Sequence, residues 1–590
     1  MSIIIKIAAP LLATAFISAC GGGSNTGEKQ DIPITSSSHL VKNKADAVKF
    51  LNRSTFGPTN KSINTLVSKR SYENWLNTQF KTTATLHTPK VRALGIKMCA
   101  NLDSDNEIQV DSWEYAFPRH QIWWETAMHG NDQLRQRVAL ALSEILVISD
   151  SDGLGLSSYQ LAVTSYYDVL VKHAFGNYRE LLEDVTLHPA MGDFLSMTRN
   201  QKANKSKGIR PDENYARELL QLFTIGVHEL NLDGTNKLDG SGNAIPTYNQ
   251  KTIEEFAKVF TGWNYADKSW DRYAGDADRT KPLIGIEEYH DTSDKYLLNN
   301  AISPNGQTAQ DDLTFALDNI FNHPNIAPFI SKQLIQRLVT SNPTPEYVKR
   351  VATVFNDNGM GVKGDLKAVV SAILLDDEAF AEIKPNSFGK LREPLLRMSH
   401  LWRAFNMQKS LKVGHYWHPE KTCGQGNYPY YNFWTAIANF GKKTTQNPLG
   451  AKSVFNFFRP DFSPSGILNE QGLVAPEFQT VNENSLTSNT NLLHEMLLDF
   501  SDDKISTAVL DSHSKLNLSK ETALAKNTDD LLDHLSLILL NNEMSDSLRG
   551  IIKDHLELTG AYKYADNDNL EKAREAILLI ISSPEYLIQR

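Results

Sequence analysis

From about Ala45 onward, apolar residues recur with a period near 3.6, and segments that alternate with period two are few. This pattern predicts helices over 111–129, 134–148, 159–175, 177–187, 252–260, 311–321, 326–339, 346–355, 365–375, 391–405, 529–540 and 570–582. Local punctuation agrees with several of these ends. Thr252-Ile253-Glu254-Glu255 has the form of a capping box, Thr344-Pro345 and Ser583-Pro584 set a cap before a first-turn proline, and Gly262 stands where a helix should stop. After Val138 the 134–148 segment is apolar on nearly every side, which marks a central helix and forces Glu144 inward.

Gly-, Asn- and Asp-rich stretches interrupt the helices at 231–248, 268–294 and 414–429, and another irregular stretch spans 459–476. The first holds Asp233-Gly234 and Pro246, which predict a short hairpin. The expected fold class is mainly α: a multi-helix bundle or array with small irregular or β-hairpin inserts. The expected organisation is a signal peptide over 1–19, a lipidated cysteine with a flexible tether over 20–44, and a helical domain over 45–590 that could divide near position 410.

The N-terminal expectation comes from MSIIIKIAAPLLATAFISA, in which Lys6 precedes a short apolar stretch and then small residues. That is the layout of a secretory signal, shorter than the ~20 apolar residues a spanning helix needs. Ile17-Ser18-Ala19-Cys20 is similar to a bacterial lipobox, in which the cysteine thiol takes a diacylglyceryl group and becomes the mature terminus. Two or more acyl chains give lasting anchorage where one would be marginal. Gly21-Gly22-Gly23-Ser24 begins a polar tether. Similarity to Gram-negative lipoproteins, with no Asp directly after Cys20, implies the outer membrane. Cys99 and Cys423 then remain as an even pair in an oxidising compartment, either bonded to each other or kept as two separate buried thiols.

Composition changes the picture in one respect. The chain has 590 residues, with 60 Lys and Arg against 69 Asp and Glu, a net charge of −9 and no Lys/Arg-rich run. It therefore lacks the basic field that nucleic-acid binding requires.

Several strings are too specific to be composition: 47–59 (AVKFLNRSTFGPT), 134–149 (LRQRVALALSEILVIS), 177–193 (NYRELLEDVTLHPAMGD), 212–226 (DENYARELLQLFTIG) and 256–263 (FAKVFTGW). With 323–375, 389–405 and 453–464, they resemble the domain of unknown function 1800 family over nearly the whole chain from about position 45. The resemblance implies an exported bacterial protein. Genes of that family often lie beside a secreted family resembling alkaline phosphatases and sulfatases, which implies a secreted partner of that kind. No catalytic residue comes with the resemblance.

On the 212–226 helix, Glu213, Asn214, Arg217, Glu218 and Gln221 fall on one arc at 100° per residue, opposite Tyr215, Ala216, Leu219, Leu220, Leu222 and Phe223. Two readings fit. One is a solvated face with an exposed Glu213/Arg217 pair. The other is a polar cleft in which Arg217 holds an anion and Glu213 or Glu218 acts as base or metal ligand, with His290 and Asp291 contributed by the 268–294 insert. Neither a G-x-S-x-G nor an H-E-x-x-H motif is present, nor a Walker loop or dinucleotide-binding glycine pattern. No metal site is expected beyond a weak calcium-like turn at Asp239, Ser241 and Asn243, because the sixth and twelfth loop positions are Ala244 and Gln250. The function expected is that of a lipid-anchored envelope protein binding or assisting a secreted hydrolase-like partner. An enzyme with the polar cleft and a structural helical scaffold are the alternatives.

Overall fold

The computed structural model describes residues 40–98, 116–151, 155–270, 276–381, 385–407, 413–415, 429–431, 444, 446–497, 516–557 and 568–590. The expected signal peptide, Cys20, residues 21–39 of the expected tether, Cys99 and Cys423 lie outside these residues; positions 40–44 of that expected tether are described, with Leu40 bridging Ser71 and Lys44 opening a helix. Helices dominate, and the predicted periodic segments reappear with ends shifted by a few residues: Ala116–His129, Gln133–Ser143, Gln160–His173, Tyr178–Thr186, Ala309–Phe321, Ile326–Leu338, Pro345–Asn356, Leu366–Leu374 and Thr528–Leu540 among them. The caps explain where they start. Thr344 accepts from the Tyr347 N–H and Ser583 from the Tyr586 N–H, each ahead of a first-turn proline.

Three helix boundaries differ from expectation for identifiable reasons. The Gln250–Val259 helix begins two residues before the expected capping box, because Asn249 is the cap and its side chain accepts from Thr252 N–H. The Pro394–Ala404 helix begins later than expected, because Glu393 before the proline is extended at φ −59°, ψ 150°. The central helix stops at Ser143, all eleven of its residues buried. Beyond that helix Ile145 N–H already bonds the Leu142 carbonyl, so the chain turns at Glu144.

The 212–226 segment also departs from a plain α-helix. Asn214–Glu218 is α-helical, but Leu219–Thr224 is a wider π-turn in which Ile225 N–H reaches back to Leu220 C=O at 3.2 Å. The Thr224 hydroxyl donates to the Leu219 carbonyl at 2.6 Å and helps hold that opening.

β-structure is confined to small two-stranded pairs among the described residues. The 231–248 insert is a short ribbon, with bridges Leu230↔Asn236, Leu238↔Ala244 and His228↔Pro246. The pair Lys390–Leu391 with Ile588–Gln589 draws the C-terminus against the segment that carries Glu393. A contiguous apolar core runs from Val41 to Tyr586, so residues on both sides of position 410 share it. Among the described residues no helix is long and apolar enough to cross a membrane.

Candidate functional site

Where the central helix ends, charged side chains meet inside the core. Arg137 comes from that helix and Glu144 from the residue that caps its end, Arg337 from Ile326–Leu338, Lys390 and Glu393 from the approach to Pro394–Ala404, and Glu477 from the turn Pro476–Thr480. All are buried. Gln446 bridges two carboxyls, its Nε2 lying 2.8 Å from Glu393 Oε2 and 3.4 Å from Glu144 Oε1. Its own Oε1 accepts from Leu395 N–H, which fixes the amide. Lys390 Nζ sits 2.9 Å from Glu477 Oε1 and 3.5 Å from Glu393 Oε1, and it donates to the Arg337 carbonyl at 2.9 Å. Arg137 Nη2 donates to the same carbonyl at 2.6 Å.

Two adjacent buried carboxyls cannot both ionise cheaply. Burial, the Glu393 charge and a hydrogen bond with Glu393 all push the Glu144 carboxyl well above its ordinary range. Burial also raises Glu393, but Lys390, the hydrogen bond from Glu144, Arg137 and Gln446 outweigh it and hold that carboxyl low. Within the pair, protonation is favoured at Glu144 and ionisation at Glu393. Three cations, Arg137, Arg337 and Lys390, thus meet three carboxyls, Glu144, Glu393 and Glu477, in one buried cluster.

Two members of this cluster, Glu144 and Arg337, line a cleft of about 250 Å³ together with Gln221, Gln333 and Asn456, the charged pair Arg459 and Asp461, and apolar residues that include Phe329 and Phe455. Several buried polar atoms there have no hydrogen-bond partner: Arg337 Nε and Nη1, Gln333 Nε2, Asn456 Nδ2 and Glu144 Oε2. Arg337 Nε lies 3.4 Å from Glu144 Oε2. Each unmet buried donor costs about 1–3 kcal/mol. A site that tolerates several is organised around something other than its own stability.

The residues singled out on the sequence divide among three places. Gln221 reaches the cleft through the π-turn. Glu213 and Arg217 form a half-exposed pair at 2.8 Å, and Gln250 Nε2 donates to the same Glu213 oxygen at 2.7 Å. Asn214 is exposed. Glu218 is turned inward, where burial raises its carboxyl above the usual range. His290 is sealed in a third place: its Nδ1 faces the Thr261 carbonyl at 2.9 Å, and its Nε2 lies 2.8 Å from Asp312 Oδ2. Asp291 accepts from the Ser293 N–H and hydroxyl and closes a local turn. The expected single cleft built from Glu213, Arg217, Glu218, His290 and Asp291 is thus not assembled, because His290 is wholly buried and bonded at both nitrogens.

Metal chemistry finds no ready-made donors. Among the described residues no group of three or more His, Cys, Asp or Glu could hold a metal ion. In the calcium-like turn, Asp239 Oδ1 accepts from the Ser241 and Asn243 N–H groups, so that oxygen serves the turn itself.

Sequence reasoning found Glu144 and missed its partners. Glu393 before Pro394 carried the same signal as Thr344 before Pro345, a residue placed just ahead of a helix; Lys390, Gln446 and Glu477 carried no periodic signal.

The fold and this network define a mainly α-helical protein with a buried cluster of carboxyls and cations beside an open cleft. The chain belongs to the family described as protein of unknown function (DUF1800), whose model matches residues 49–588. No curated protein and no solved structure matches it.

Proposed function

We propose that this chain is an exported, lipid-anchored envelope protein that binds a ligand in the Glu144 cleft and assists a secreted phosphatase- or sulfatase-like partner. Anchorage is supported by Ile17-Ser18-Ala19-Cys20 and the polar tether after it, and the outer membrane of a Gram-negative cell by the lack of Asp after Cys20. The observation that carries the binding role is the buried floor of unmet donors under an open cleft. Crosslinking in intact membranes followed by mass spectrometry tests the accessory role: one dominant secreted hydrolase-like protein is expected, and recovery of none rejects it. Fatty-acid labelling that survives C20A, or whole chain released into the medium without lipid, rejects the anchor.

The split carboxyl pair favours a second reading, an acid–base enzyme in which Glu144 donates a proton to a bound substrate. Under it, E144Q removes turnover while ligand binding persists. Equal turnover by E144Q and wild type ends that reading.

A further inference from the structure

The donors left unmet at the cleft point to one kind of ligand. Arg337 is almost wholly buried, at 1% exposure, yet two of its guanidinium nitrogens have no acceptor. A guanidinium cannot shed its charge, and it presents donors only. Around it the Phe458 ring lies 4.5 Å from the guanidinium carbon, Nη2 donates to the Glu144 carbonyl at 3.4 Å, and Glu144 Oε2 stands 3.4 Å from Nε as an ion pair without hydrogen-bond geometry. Gln333 Nε2 and Asn456 Nδ2 add two further unmet donors to the same wall. A ligand meeting them must bring acceptors, and an oxyanion brings the strongest acceptors for a guanidinium.

The opposite wall is apolar. Gly226 has φ +71°, and a Cβ there would lie 2.7 Å from the Phe329 ring, so bare backbone and ring meet with no side chain between. Val227 and Phe455 stand at the mouth, 45% and 44% exposed, both large apolar residues left in water beside one opening. A cleft of about 250 Å³ accommodates a ring or a short chain.

We infer that the cleft receives an organic oxyanion, a carboxylate or a phosphate or sulfate monoester, with its head on Arg337 and its apolar body against Phe329, Phe455 and Val227. The inference rests on the binding role proposed above and specifies the ligand class. Arg337 acts as the anion anchor; Gln333 and Asn456 orient the head.

Isothermal titration of the purified full chain tests it with benzoate, phenyl phosphate, phenyl sulfate, inorganic phosphate and benzyl alcohol as probes. At least one of the three aromatic anions is expected to bind tenfold or more tightly than benzyl alcohol, and which one does so identifies the head. R337Q should lower that affinity at least tenfold. Because R337Q could unfold a buried site, two milder variants accompany it. V227W fills the mouth without touching a charge and should abolish binding; N456G suits the observed φ of +62° and should weaken binding several-fold. Inorganic phosphate binding as tightly as phenyl phosphate overturns the role of the apolar wall. Benzyl alcohol binding as tightly as the anions, and lost in V227W, overturns the oxyanion class while leaving a binding cleft. Binding of no probe at all overturns the ligand class and the cleft's binding role together.

Discussion

Two buried clusters in this protein, each setting carboxyls against cations, serve opposite ends. Around Asp312 everything is closed: Asp312, His290, Lys295 and Ser303 have no exposure, and the carboxylate takes Lys295 at 2.6 Å, His290 at 2.8 Å and the Ser303 hydroxyl. Burial pushes the Asp312 carboxyl up, but the hydrogen bonds from His290, Lys295 and Ser303 win and hold it below its ordinary value. Around Glu144 the charges are as deeply placed, yet donors go unmet, and two members of the cluster, Glu144 and Arg337, line an open cleft. A satisfied buried cluster fixes one packing arrangement; an unsatisfied one holds potential for a partner from outside. The difference also separates His290, an attractive candidate on the sequence, from function: it belongs to the closed cluster.

The largest effect should come from opening the closed cluster. D312A leaves Lys295 buried without its counter-ion and should cost about 3–5 kcal/mol, read as a shift in urea unfolding. A loss below ~1 kcal/mol would mean that water reaches the cluster, and the contrast with Glu144 would collapse. The same pair predicts acid sensitivity. Because the folded carboxyl titrates below its unfolded value, its contribution is present at neutral pH and is lost as pH falls below about 4. G262A attacks the same cluster through the backbone. At φ +84°, with a Cβ 2.9 Å from the His290 backbone, it should cost about 1–3 kcal/mol.

In the open cluster the corresponding change should be mild. The fold favours the protonated form of Glu144, which glutamine mimics, so E144Q should change stability by less than about 1.5 kcal/mol. The sign with pH runs opposite to Asp312. The folded state keeps a proton that the unfolded chain releases above its ordinary value near 4.5, so wild-type stability declines relative to E144Q as pH rises from there. The slope is at most about 1.4 kcal/mol per pH unit. Parallel unfolding curves for the two proteins between pH 4 and 8 would show that Glu144 is ionised in the fold.

Much of the scaffold was legible because burying one face of a helix leaves a 3.6-residue signature, and because caps such as Thr344 and Ser583 have fixed chemistry. Glu144 was legible for the same reason: an acid inside an apolar stretch has nowhere else to go. Its partners were not. Gln446 lies 302 residues from Glu144 and 53 from Glu393 along the chain, and pairing over such distances leaves no local trace. The 212–226 segment shows the limit from the other side. A 100° spacing places Gln221 with Arg217, but the π-turn after Glu218 changes the spacing and sends Gln221 to the cleft alone.

That divergence makes Arg217 the smallest and most discriminating test. Its side chain is 38% exposed and that of its partner Glu213 33%, and Gln250 shares both ends of the pair at 2.7–3.4 Å. Solvent screens such a pair, so R217A should cost only about 0.3–0.5 kcal/mol, with the difference shrinking as salt is added. It should leave titrations of the Arg337 cleft unchanged, because Arg217 is not among its lining residues. A loss above about 1.5 kcal/mol, insensitive to salt, would show a packed role for this face. Loss of ligand binding without loss of stability would instead return the anion site to Arg217 and remove the functional distinction between the two buried clusters.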